Sequence, residues 1–551
     1  MKLARLAAPA LLVGLAAVHL ALAWPGAGER GVIAEEITPY LPRHPVVLAG
    51  ADSNGVRLLP PHDQPDRRGW VSTAQWPQLA YVGDARTWPV FIKGHQSALG
   101  TYAGLALAPA LGDGIAGVRR SSVLLGLALI GLVFALARRL GLGLALSGAA
   151  ALACVLSPGL FFFARTGYGF ELASRVAMLA ALVLATRPLT TARSLGLGLA
   201  LAAAILCRAT IAATLLPALL LLLVHPERRA GLRRPALALG LGAAIPLLFA
   251  LAVQLALPLH AGTAPAAKLP LADLAHRTAT APATLAAQLA WVADPDTILL
   301  PLVADLSRAP LPGLVFGTAV LALALARWWR ARAGDGECLF VAAALGNALF
   351  GAWLYGDPQQ FQLGMALEPL FVLAVAHQLQ SLRSPRSAAL AVAALLTARA
   401  WQCGALLSAE QAVTNPMLSG DAQRQLTATL AARHPGEGDT VTTTYNHVGM
   451  LEAWASHSPH PPIHAYRALR RGDDAATISA WREILHTYPA RFVVLSTGPN
   501  LFDGPFTDNA ASERALVSAL PAASRKIVAR HDFPCESGRP CLALLELSPR
   551  P

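Results

Sequence analysis

Long apolar blocks recur along this chain, and most of them end in arginine. Ser122–Leu136, Ala145–Phe163, Ala236–Leu257, Leu314–Ala326 and Ala388–Leu396 are examples. Extended by weakly polar residues to about 20, such blocks are long enough to cross a hydrocarbon core. A single buried helical core does not explain so many blocks, each bounded by charge. Composition agrees: 55% of the 551 residues are hydrophobic and 14% are charged. A soluble chain of this size carries about a quarter charged residues. The expected architecture is therefore a polytopic α-helical membrane protein.

Positive charge sets the topology. The formal net charge is +12, which in a soluble chain would point to nucleic acid. Here the arginines lie between apolar blocks, so they read as topology signals and no nucleic-acid partner is expected. The clusters are Arg138-Arg139, Arg187 with Arg193, Arg228-Arg229 with Arg233-Arg234, Arg327 with Arg330 and Arg332, and Arg383 with Arg386. Placing all of them in the cytoplasm predicts about eleven spans, near 6–24, 121–138, 142–163, 170–187, 194–208, 209–225, 235–257, 311–329, 338–355, 361–381 and 387–407. The N-terminus is then inside and the C-terminus outside. The segment 194–225 reads as two short helices meeting near Cys207-Arg208 or as one tilted helix; only the first keeps the later clusters inside. Ala21-Leu-Ala23 also resembles a signal-peptidase site, and in either case the chain after Trp24 lies outside.

Two domains follow from this pattern. Residues 1–407 form the transmembrane domain, with a long outer loop over 25–120. Residues 408–551 form a small extracytoplasmic domain. Within the loop, Ser97–Leu111 is apolar but short, which predicts a helix lying along or dipping into the membrane. The tail reads as alternating elements: strands near Val441–Thr444, Ile463–Tyr466, Phe492–Ser496, Lys526–His531 and Leu542–Leu547, with helices near Val448–Ser456, Ala475–Thr487 and Ala511–Leu520. That alternation predicts an α/β domain with a partly parallel sheet. Of six cysteines, Cys154, Cys207, Cys338 and Cys403 read as small buried residues. Cys535 and Cys541 flank a turn, and spacing alone leaves their pairing open.

Several residues have chemistry to offer. Glu35-Glu36 stands just beyond the first span, followed by Tyr40. An ionised carboxylate there is placed to act as a membrane-interface base or to be merely solvated. Lys93 and His95 precede the short apolar helix. Arg119 and Arg120 follow it, on the outer side, against the positive-inside pattern. Lys93, Arg119, Arg165 and Arg208 all map to that side. Cations so placed suit a phosphate ligand, since guanidinium pairs with phosphate bidentately, or they snorkel at helix ends. Asp294-Pro-Asp296 reads as a helix N-cap rather than a nucleotide-sugar motif. The spacing of His457, His460 and His464 fits no standard zinc pattern, and no metal site is expected.

Four of these features, in order, resemble the polyprenyl-phosphate-dependent glycosyltransferases of the GT-C superfamily, which include protein O-mannosyltransferases and lipid A aminoarabinose transferases. Glu35-Glu36 with Tyr40 is similar to the family's first-loop acidic pair and tyrosine, with Glu where Asp is usual. Lys93-Gly94-His95 and Leu111-Gly112 stand where the family has a lysine motif leading into a helix. Arg119-Arg120-Ser121-Ser122 resembles the motif that opens the next span, and Ser157-Pro158 the pair that ends the one after it. The likeness covers roughly residues 1–230.

The resemblance implies a glycosyltransferase in a bacterial inner (plasma) membrane that transfers a sugar by inverting direct displacement. The donor would be a polyprenyl-phosphate-linked sugar and the acceptor a glycan, lipid or protein at the outer face. Membrane lipid is the other partner. No cofactor is implied with certainty. Glu36, with Glu35, would be catalytic; Tyr40, Lys93, His95, Arg119 and Arg165 would bind substrate. A transporter or lipid flippase using the intramembrane charges Arg208, Glu368 and Arg399, or a non-catalytic assembly protein of the same fold, are the alternatives.

Overall fold

The computed structural model describes residues 2–27, 70–71, 80–82, 88–93, 96–97, 99–105, 107–112, 114–165, 169–224, 233–256, 271–293, 311–351, 361–382, 384–411, 419–433, 440–442, 467–468, 475–487, 490–497, 509–535, 538 and 540–549. Glu35, Glu36, Tyr40, His95, Asp294, Asp296, the 448–456 and 463–466 elements and the three clustered histidines lie outside these residues.

Each expected span overlaps a helix among the described residues; 142–163, expected as one, is two helices, and the end of 338–355 lies outside the described residues. Leu6–Ala23 and Ala116–Arg139 are each long and apolar enough to cross a membrane. Leu144–Val155 with Pro158–Arg165 passes the same test as one span, bent by 52°. The bend has a local cause. Pro158 has no N–H to donate and so starts a new helix rather than continuing the old one. The Ser157 hydroxyl then accepts the Leu160 N–H at 3.2 Å, capping the new start.

A second break divides 194–225, which forms two helices rather than one. Thr191–Cys207 ends where Arg208 turns extended (φ −158, ψ 110), and a short 3-10 turn over Ala209–Ile211 leads into Ala212–Val224. Arg208 Nε donates to Thr210 Oγ1 at 2.9 Å, holding the turn on itself.

The helix Thr191–Cys207 packs backbone to backbone on Arg233–Ala256. Two glycines make this possible. A Cβ on Gly198 would lie 2.8 Å from the Ala243 nitrogen, and one on Gly242 would lie 2.6 Å from the Leu195 oxygen. Small residues of this kind let membrane helices approach closely. Backbone atoms cannot yield as a flexible side chain can. Gly198→Ala gains about 1 kcal/mol of helix propensity but forces the helices apart, at a cost of about 1–3 kcal/mol. We expect a net loss, read as a lower melting temperature of the detergent-solubilised protein; an unchanged or higher one would contradict this packing.

Two helices were not anticipated. Leu271–Ala293 lies between the expected spans 235–257 and 311–329 and packs on Leu311–Trp329 and Phe361–Gln380. Gly420–Ala431 precedes the tail strands and packs on two of them. In the tail, strands Thr440–Thr442, Phe492–Ser496, Pro540–Leu547 and Ile527–Pro534 form one sheet in that spatial order. The first pair is parallel and the other two are antiparallel. Phe492–Ser496 is buried along its whole length, as its unbroken apolar run requires. Ile527–Pro534 alternates in exposure, as befits an edge strand with one wet face.

Cys535 and Cys541 are joined by a disulfide. It closes the hairpin between the last two strands. Closing so short a loop is worth about 2 kcal/mol in the chain-entropy model. Cys535→Ser/Cys541→Ser should lose about that much stability in the tail sheet, read by hydrogen exchange of Leu542–Leu547. No change in exchange would show that the bridge contributes nothing. Cys154, Cys207 and Cys403 are free and buried, and Cys338 is free and half-buried.

Candidate functional site

Three arginines from two helices gather on one short turn. The turn is Trp24–Ala27, directly after the first helix. Arg119 is fully buried on the helix Gly114–Arg139, and its Nη1 donates to the Ala27 carbonyl at 3.1 Å. Arg120, beside it, lies 5.5 Å above the Trp24 ring, and its Nη1 donates to the Leu111 carbonyl at 2.7 Å. Arg165 ends the helix Pro158–Arg165. Its Nη2 donates to the Pro25 carbonyl at 3.3 Å, and its guanidinium lies 4.7 Å from the Phe161 ring. Arg119 and Arg165 are near enough to interact electrostatically.

Local sequence explains how Arg120 reaches Leu111. Gly112 has φ +139, a conformation that side chains rarely adopt, and an added Cβ would meet Arg120 Nη1 at 2.9 Å. The glycine thus lets the chain reverse from the short helix Ala108–Leu111 into the long one while leaving room for the guanidinium. The neighbouring short helix Leu99–Leu105 packs on both Gly114–Arg139 and Gly169–Ala185. It carries Tyr102, whose phenol burial pushes up to about 12, so it remains a neutral hydroxyl at physiological pH.

Not all of the cations singled out in the sequence meet here. Lys93 ends the strand Trp88–Lys93, which pairs with Ala80–Val82 and Gln96–Ser97. Arg208 is drawn elsewhere, into an ion pair with Glu171. Glu171 also accepts from Arg175 Nη2 at 3.4 Å, four residues along the same helix. Glu368 and Arg399, the other intramembrane charges singled out in the sequence, face each other at 3.7 Å. Each of the three intramembrane charges singled out in the sequence is thus in an ion pair, Arg208 with Glu171 and Glu368 with Arg399. Arg175 was not anticipated. Its i, i+4 spacing from Glu171 is the signal that could have found it.

The described part of the site is thus an N-terminal helix, the turn that follows it, and arginines collected on that turn from two later helices. Residues 99–253 match the family model described as dolichyl-phosphate-mannose-protein mannosyltransferase. Among solved structures, the chain shares its fold with ArnT from Cupriavidus metallidurans in the apo state, at 13% identity over 98% of both chains with a TM-score of 0.51. ArnT from the same organism bound to undecaprenyl phosphate matches at 12% identity over 97% of both chains, again with a TM-score of 0.51. No curated protein sequence matches. At this identity the likeness to ArnT is one of fold. The family match and the shared fold support a place in the polyprenyl-phosphate-dependent GT-C family, the resemblance read from the first outer loop.

Proposed function

We propose that this chain is a membrane glycosyltransferase that moves a sugar from a polyprenyl-phosphate-linked donor to an acceptor at the outer face. The observation that carries this reading is the convergence of Arg119, Arg120 and Arg165 on the turn that opens the loop bearing Glu35 and Glu36. The family match over 99–253 and the ArnT structure bound to undecaprenyl phosphate support the donor class.

The chemistry needs two kinds of group. The acceptor hydroxyl attacks the anomeric carbon and gives its proton to a carboxylate, Glu36 or Glu35. The bond from that carbon to the phosphate oxygen breaks with inversion, and the polyprenyl phosphate leaves with one more negative charge than it carried as the diester. Cations fixed beforehand stabilise that charge more in the transition state than in the ground state. Arg119, Arg165 and Lys93 fill this role, while Tyr40 and His95 contact the substrate. The Cys535–Cys541 bridge supports an oxidising compartment for the tail. We assign the chain to a bacterial inner membrane, with about eleven spans, the N-terminus in the cytoplasm and residues 408–551 as an outer α/β domain.

Mass spectrometry of the purified chain tests the donor class. The wild type is expected to retain a polyprenyl phosphate or its sugar conjugate, and Arg119→Ala/Arg165→Ala to retain much less. Equal retention by both would contradict the reading.

A further inference from the structure

The helix Pro158–Arg165 is eight residues long and buried on every side. So short a helix does not hold its own direction, which comes from how it is fastened. One end carries Arg165, against the Pro25 carbonyl. The other end is Ser157, at the 52° bend. The Ser157 hydroxyl has two partners. It accepts the Leu160 N–H at 3.2 Å and donates to the carboxylate of Glu368. Glu368 stands on a different helix, Phe361–Gln380, and is itself held by a third. Arg399, on Pro385–Gln411, lies 3.7 Å from it and donates to Gln402 Oε1 at 3.3 Å. Arg175 adds a further positive charge near the carboxylate. Glu368, Arg399, Arg175 and Ser157 are all buried.

A carboxylate buried within a membrane helix is costly, and here it is spent on a hydroxyl at a helix break. We propose that Glu368 and Ser157 are positioning residues: by fixing the bend at Ser157-Pro158 they set where Arg165 stands at the entrance of the first outer loop. The proposal rests on the reading that Arg165 faces the leaving phosphate. A bend that swings freely would let Arg165 drift from the turn, weakening its hold on phosphate without removing any group that touches it.

The test is a double-mutant cycle on the full chain in lipid nanodiscs, with undecaprenyl phosphate as the probe. Arg165→Ala should weaken binding about tenfold, the worth of one charge-assisted hydrogen bond. Ser157→Ala and Glu368→Gln should each weaken it several-fold, with Ser157→Thr restoring it. Ser157→Ala removes one hydroxyl and carries the test if Glu368→Gln fails to fold. The double variant Ser157→Ala/Arg165→Ala should bind no more weakly than Arg165→Ala alone, because the hydroxyl acts through Arg165. Losses that multiply in the double variant, or wild-type binding by Ser157→Ala, would overturn the proposal while leaving the role of Arg165 intact. Wild-type binding by Arg165→Ala would overturn that role, and the proposal with it.

Discussion

A chain in which Glu35 and Glu36 are both replaced by glutamine is expected to transfer sugar at least about a hundredfold more slowly than the wild type. General-base catalysis contributes on the order of 10²–10⁴ to rate. Glutamine keeps the size and hydrogen bonding of glutamate but cannot take up the acceptor's proton. The two positions are adjacent, so one carboxylate could stand in for the other, and the double variant is the informative one. Retention of undecaprenyl phosphate should be unaffected, because the proposed phosphate ligands, Arg119, Arg165 and Lys93, are untouched. Slow transfer with intact lipid retention is thus the signature of a lost base. Full transfer by the double variant would remove both residues from the mechanism.

Glu171→Ala is expected to cost about 3–5 kcal/mol of stability, the usual penalty for breaking a buried ion pair from one side. Glu171 is 1% exposed, and it partners both Arg175 and Arg208. Its loss leaves two guanidinium groups facing each other in a low-dielectric interior, one of them at the break that ends Thr191–Cys207. Against a total stability of about 5–15 kcal/mol, such a loss should show as poor yield and a melting temperature many degrees lower. The comparison is Asp421→Ala. Asp421 pairs with Arg424 on the helix Gly420–Ala431, with side chains 63% and 40% exposed. An ion pair so well solvated is worth at most about 1 kcal/mol. Equal stability of Glu171→Ala and Asp421→Ala would contradict the buried network.

Helix positions were legible in the sequence wherever hydrophobicity alone decides them. Arginine clusters bounded the apolar blocks, and proline or a polar residue marked the breaks at Ser157-Pro158 and Arg208. The tail elements Ala475–Thr487 and Phe492–Ser496 stand where their patterns put them. Leu271–Ala293 and Gly420–Ala431 escaped notice for a common reason. Both mix alanine with threonine and glutamine, so neither shows a continuous apolar run, and their burial comes from one packed face.

The site was legible in part. Arg119 and Arg165 stood out because they broke a charge rule. Their shared target, the Trp24–Ala27 turn, offers only backbone carbonyls, which carry no side-chain signal. Arg208, Glu368 and Arg399 were visible as intramembrane charges, but pairing is a property of neighbouring helices. Periodicity along one helix does not report which residue of another faces it.

Transfer by the reconstituted wild-type chain bears most directly on the central claim. Proteoliposomes would carry polyprenyl phosphate bearing a radiolabelled sugar, with cell-envelope material as acceptor. The account predicts that label leaves the lipid for the acceptor and that free polyprenyl phosphate appears in equal amount, with the Glu35→Gln/Glu36→Gln chain leaving the label in place. Label that stays on the lipid with the wild-type chain, while the same vesicles take up solute without any lipid-linked sugar, would contradict it.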